Sequence, residues 1–156
     1  MTNLFMKIHP RYLAWFTSDG KCGTLTLHSN LLKNHELIKN FFVTLHKVEN
    51  IYFENPHIEL YGTNHLNIIK DIQHIQRTVG ALCVTAWEYF KIEPNSMVQT
   101  VKLTKDEKLA IFEKLIREPE KPYFSPLEKL CIVDCYLIYK NLTTPQKITA
   151  RVINAE

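Results

Sequence analysis

Residues 50–56 read Asn-Ile-Tyr-Phe-Glu-Asn-Pro, a short apolar and β-prone run that ends in a carboxylate and is closed by Asn55-Pro56. Apolar character without alternation over so few residues marks a strand covered on both faces, the setting of a parallel strand. Asn-Pro then imposes a turn. Glu54 is therefore expected at the C-terminal end of a buried strand, opening a functional loop.

Upstream, residues 4–8, 12–17 and 24–28 are β-rich runs, and Ser18-Asp19-Gly20-Lys21 is a turn signal between the last two. They predict a three-stranded antiparallel meander. Ser29-Asn30 offers an N-cap, and Leu31, Leu32, Leu37, Ile38, Phe41, Phe42 and Leu45 recur at helical spacing to about residue 48. Downstream, Leu66, Ile69, Ile72, Ile75, Val79, Leu82, Cys83 and Trp87 keep the helical period over residues 64–90, the longest helix. Residues 96–103 predict another strand. Thr104 and Glu107 fit a capping box for a helix to about 116, and a loop rich in proline and charge covers 117–124. Ser125-Pro126 supplies cap and first turn for a last helix to about 139.

The order β-β-β-α-β-α-β-α-α predicts an α/β fold with a mixed sheet, three antiparallel strands then parallel strands, flanked by helices. This is the order of an RNase H-like sheet, in which carboxylates at neighbouring strand ends and on the last helix converge on divalent metal. Residues 1–142 are expected to form this domain and residues 143–156 a C-terminal tail.

The bulk properties agree with one soluble domain. The chain has 156 residues, 46% hydrophobic and 22% charged, with only four glycines, enough for one core and too little for two. The net charge of +3 permits a nucleic-acid partner without requiring one. Cys22, Cys83, Cys131 and Cys135 form no CxxC pair, so reduced thiols are expected. No window approaches twenty apolar residues, which predicts no membrane span and places the chain in the cytoplasm or another intracellular site of DNA processing.

Three segments, in order and suitably spaced, resemble the RuvC family of Holliday junction resolvases. Lys7-Ile8-His9-Pro10 resembles the family's Ile-Asp-Pro, with His9 in place of a metal-binding Asp. Ile51-Tyr52-Phe53-Glu54 resembles the apolar strand that ends in a catalytic Glu. Leu130-Cys131-Ile132-Val133-Asp134-Cys135 resembles the last-helix motif, with Asp134 matching the second acid and Cys131 standing at the first. Arg77-Thr78-Val79-Gly80-Ala81-Leu82 looks like the long helix that packs in the family's dimer interface, and residues 97–102 like its following strand. Lys108 falls where the family often has a lysine near the scissile phosphate, whereas Val98 holds the place of another lysine, with Lys102 nearby.

The resemblance implies a homodimer that binds branched DNA, viral or plasmid-borne in style, with Glu54, Asp134, His9 and Lys108 at the catalytic site. Glu54, Asp134 and His9 are its candidate metal ligands for Mg²⁺ or Mn²⁺. Two-metal hydrolysis needs hard oxygen donors around ions about 4 Å apart. His9 is a borderline donor suited to Zn²⁺, Mn²⁺ or Fe²⁺, and a Cys131 thiol is a poor Mg²⁺ ligand. Cleavage is therefore expected to be weakened or lost, with no metal required in that case. An active resolvase using Mn²⁺ and a protein-binding module on a repurposed RNase H-like fold stay open as alternatives.

The structural alternatives are specific. Cys131 fits the core of the last helix better than ligation. His9 is either a vestigial residue hydrogen-bonded to Glu54 or Asp134, or a working ligand or base. Glu128 is expected to be a solvated surface residue. Lys102, Lys105, Lys108 and Lys114, with Arg77, His74 and Lys70 on the long helix, suit phosphate contacts, and a solvated face explains them as well. Trp15, Trp87, Phe41 and Phe42 are expected in the core.

Overall fold

A computed structural model of the chain describes residues 2–45, 47–54, 65–97, 102–116 and 123–142. Its central strand, β1 (Thr2–Ile8), lies between antiparallel β2 (Tyr12–Thr17) and parallel β4 (Val48–Glu54). β3 (Cys22–Thr26) pairs antiparallel with β2, and β5 (Asn95–Met97) pairs parallel with β4. The sheet order is β3-β2-β1-β4-β5. The meander and the parallel placement of residues 48–54 are thus as the sequence predicts.

Two helical layers cover this sheet, and the period of two along β1 assigns its side chains between them. Leu4, Met6 and Ile8 join Ile38, Phe41 and Phe42 of α1 (Leu31–Thr44) and Ile75, Leu82 and Ala86 of α2 (His65–Phe90). Phe5, with Ala14 and Phe16 of β2, instead joins Phe112 of α3 (Lys105–Leu115) and Ile132, Cys135 and Ile138 of α4 (Pro126–Leu142). Phe42, Phe5 and Phe112 are among the largest fully buried side chains. Each stabilises its layer by about 1.5–3 kcal/mol. Lys7 follows Phe5 on the α4 side, where no apolar partner can satisfy an ammonium.

The helix starts follow their caps. Asn30 accepts from Leu32 N at 2.8 Å, and Thr104 with Glu107 forms the expected capping box. Ser125 forms a second box with Glu128, whose carboxylate also accepts from the Thr24 hydroxyl of β3. Glu128 is therefore not a solvated surface acid; it ties the start of α4 to the sheet.

Several boundaries differ from expectation. α1 stops at Thr44 because Leu45 turns extended and its N–H reaches back to Phe42 O, freeing residues 48–54 for β4. β3 spans Cys22 to Thr26 rather than 24–28, and at its register partner Trp15 only glycine leaves room for the indole, since a Cβ at Gly23 would meet the ring at 2.8 Å. Of the strand expected over 96–103, residues 98–101 lie outside the described residues, and Lys102 and Leu103 are not strand. Trp87 is 54% exposed on the outer side of α2, not a core residue. The proposed tail, residues 143–156, lies outside the described residues. Among the described residues no helix is long and apolar enough to cross a membrane.

Candidate functional site

The β1 to β4 register sets Lys7 opposite Glu54. Across them runs α4, whose Asp134 is buried with Cys131, Cys135 and Ile138 of the same helix. The Lys7 ammonium lies against Glu54 Oε2 and is 3.4 Å from Asp134 Oδ2. From α3, Lys108 Nζ stands 2.8 Å from Asp134 Oδ1. The charges thus alternate as Glu54, Lys7, Asp134, Lys108, two negative and two positive. Glu54 and Asp134 are each only 6% exposed, and carboxylates so buried must be paired to persist as ions.

The electrostatics of the cluster act on Lys7 and on the thiols beside it. Burial works against charge on Lys7, but the carboxylates of Glu54 and Asp134 outweigh it and hold the ammonium above its usual range. Burial pushes the Cys131 thiol up to about 11; Lys7 opposes that shift, and Asp134 and Glu54 add to it. Cys131 is a protonated core thiol at neutral pH, in line with its place in the α4 layer. Cys135, buried beside it, is also raised well above its ordinary value, chiefly by burial.

His9 sits in the turn between β1 and β2. Its Nδ1 accepts from Arg11 N at 3.1 Å, its backbone N–H donates to Tyr12 O, and its ring lies over Tyr12 at 6.0 Å. Burial first, then the positive charges of Lys7 and Arg11, lower its pKa against a smaller opposing effect of Asp71. It is a neutral imidazole at pH 7. The structure therefore gathers Glu54, Asp134 and Lys108 around Lys7 and sets the His9 ring into the adjoining turn.

A divalent ion does not fit this arrangement. Among the described residues no group of three or more His, Cys, Asp and Glu is placed to hold a metal, and a cation already stands between the two carboxylates. A second positive charge there would meet a direct repulsion.

The remaining predicted residues divide between the two faces. Lys102, Lys105 and Lys114 are exposed on the α3 side. Arg77 and Lys70 are exposed on α2, which covers the opposite face of the sheet, so they do not share one surface with the α3 lysines. Lys7 is the residue that sequence reasoning missed as a site member. Its signal was parity: it alternates with Met6 and Ile8 in a central strand, which buries a charge on the face that carries Asp134.

Sheet order, mixed strand direction and helices on both faces define an α/β fold of the RNase H-like class. Its RuvC-like form is shown by two solved structures. A Thermus thermophilus RuvC in complex with Holliday junction substrate superposes with a TM-score of 0.56 at 9% identity, over 92% of this chain and 98% of that one. Another Thermus thermophilus RuvC structure gives 0.51 at 13% identity over the same shares. The likeness is one of fold. No family model and no curated protein matches the sequence.

Proposed function

We propose that this chain is a RuvC-like protein that binds branched DNA and has lost metal-dependent cleavage. The observation that carries the loss is the Lys7 ammonium between Glu54 and Asp134. Hydrolysis by two metals requires those oxygens to face divalent ions, and here they face lysine. Lys108, held on Asp134, is in this proposal a phosphate-facing charge rather than a catalytic one, and exposed Lys102 and Lys105 extend the positive surface beside it. Support for DNA comes from the fold, shared with a protein solved on a junction, and from these lysines, since phosphate contacts supply sequence-independent affinity.

A homodimer through α2 belongs to the same proposal. Ile69, Gln73, Gln76, Gly80, Val84 and Trp87 recur at intervals of three and four along α2, and all are exposed. No charge interrupts that stripe. A Cβ added at Gly80 would meet nothing within 4 Å, so the centre of the stripe is open to close approach by a second helix.

The test is binding of purified protein to a four-way junction, linear duplex and single strand at low salt with EDTA present. Preferential junction binding without metal is expected. Absence of binding to any of the three would remove the nucleic-acid role and leave a protein-binding module.

A further inference from the structure

We infer that the Lys7 ammonium is a tethered cation standing in the place of a divalent ion, and that Glu54 and Asp134 become a divalent-cation site once it is removed. The inference deepens the non-cleaving proposal and rests on it for its meaning, but its geometry is independent of DNA. Lys7 Nζ faces Glu54 Oε2 on β4 and Asp134 Oδ2 on α4, so one charge joins carboxylates carried by two different elements. Lys108 approaches the other oxygen of Asp134, Oδ1, and so does not duplicate the bridge. Both carboxylates are buried on facing elements, and two carboxylate charges so placed repel unless a cation stands between them.

The donors left behind are hard. Two carboxylates from separate elements, completed by water, suit Mg²⁺, Mn²⁺ or Ca²⁺ rather than thiophilic ions. Cys131, the remaining neighbour, is packed in the α4 core layer, and a thiol is a poor ligand for these hard ions. Lys7→Ala opens the space; Lys7→Gln removes the charge while keeping length and a hydrogen-bond donor.

The experiment counts bound Mn²⁺ by electron paramagnetic resonance of the free ion, with full-length protein and no DNA, alongside thermal melts with and without Mn²⁺. The expected result is a dissociation constant at least roughly 100-fold lower in Lys7→Ala or Lys7→Gln than in wild type, because a like charge at this distance has been removed. The melting midpoint should rise with Mn²⁺ in the variants only. Adding Glu54→Gln to Lys7→Ala should abolish the gain. Variants that fold yet bind no more Mn²⁺ than wild type would overturn the inference. So would variants that fail to fold equally with and without Mn²⁺, or wild type that binds Mn²⁺ as tightly as they do. Failure here leaves the wild-type junction assay untouched, so the two proposals fall separately.

Discussion

Lys7 and Glu54 are register partners on the two central parallel strands, and the ammonium of one lies against the carboxylate of the other. Asp134 closes the same ammonium from α4. The salt bridge is therefore a fastening between layers as well as the feature on which the proposed loss of metal binding rests. Removing one partner of a buried pair leaves the other charge uncompensated, which costs about 3–5 kcal/mol. Lys7→Ala should lose stability toward the lower end, about 3 kcal/mol, since the lysine side chain keeps 19% exposure. Urea unfolding checks this, and Lys7→Ala combined with Glu54→Gln should cost less than the sum of the single changes. Additive losses would show that the pair is not coupled.

Alkaline pH should destabilise the fold through its buried thiols. The folded-state pKa of Cys131, about 11, lies above its ordinary value of 9.0, so the folded chain holds this proton more tightly than the unfolded one. That contribution is complete below pH 9 and is lost as pH rises from 9 to 11, at up to about 1.4 kcal/mol per pH unit. Cys135 acts in the same direction. Denaturation midpoints should change little from pH 7 to 8 and fall at pH 10 and 11, and Cys131→Ala should flatten the decline. In native protein at pH 8, iodoacetamide should modify Cys22 and Cys83 before Cys131 and Cys135, which are buried; equal rates by mass spectrometry would contradict the packing of α4.

The uncharged stripe on α2 predicts an oligomer that single substitutions dissolve. Gly80→Arg and Trp87→Glu each place a charge on it, and neither position is buried. Light scattering after size exclusion should find a dimer for wild type and monomers for both variants, with melting changed little. A wild-type monomer at high concentration would remove the dimer from the proposal.

Salt dependence separates phosphate contacts from solvated lysines. Lys102 and Lys105 are exposed beside α3. If both meet phosphates, alanine at both should reduce the slope of log affinity against log salt by roughly two for junction DNA. An unchanged slope would mark them as ordinary surface charges.

Much of the architecture was legible because local signals agreed. Turn residues bounded the first three strands, Thr104 and Glu107 announced α3, and the apolar run ending at Glu54 marked a parallel strand. The family pattern singles out Glu54 and Asp134 as candidates, and the fold brings both to one ammonium. What the sequence could not supply was register. The family pattern points to His9 because it stands where that pattern has an acid, while the β1 to β4 pairing decides that Lys7 is the residue opposite Glu54. Trp87 was misplaced for a related reason: its helical period identifies a face, but not whether that face meets the sheet or solvent.

In the proposed function Lys7 takes the place of metal-dependent chemistry at Glu54 and Asp134. The decisive experiment incubates wild-type protein with a labelled four-way junction in Mg²⁺, then in Mn²⁺, and resolves the strands on a denaturing gel. The predicted result is a bound, intact junction in both metals. Paired symmetric cuts that disappear in Glu54→Gln would contradict it.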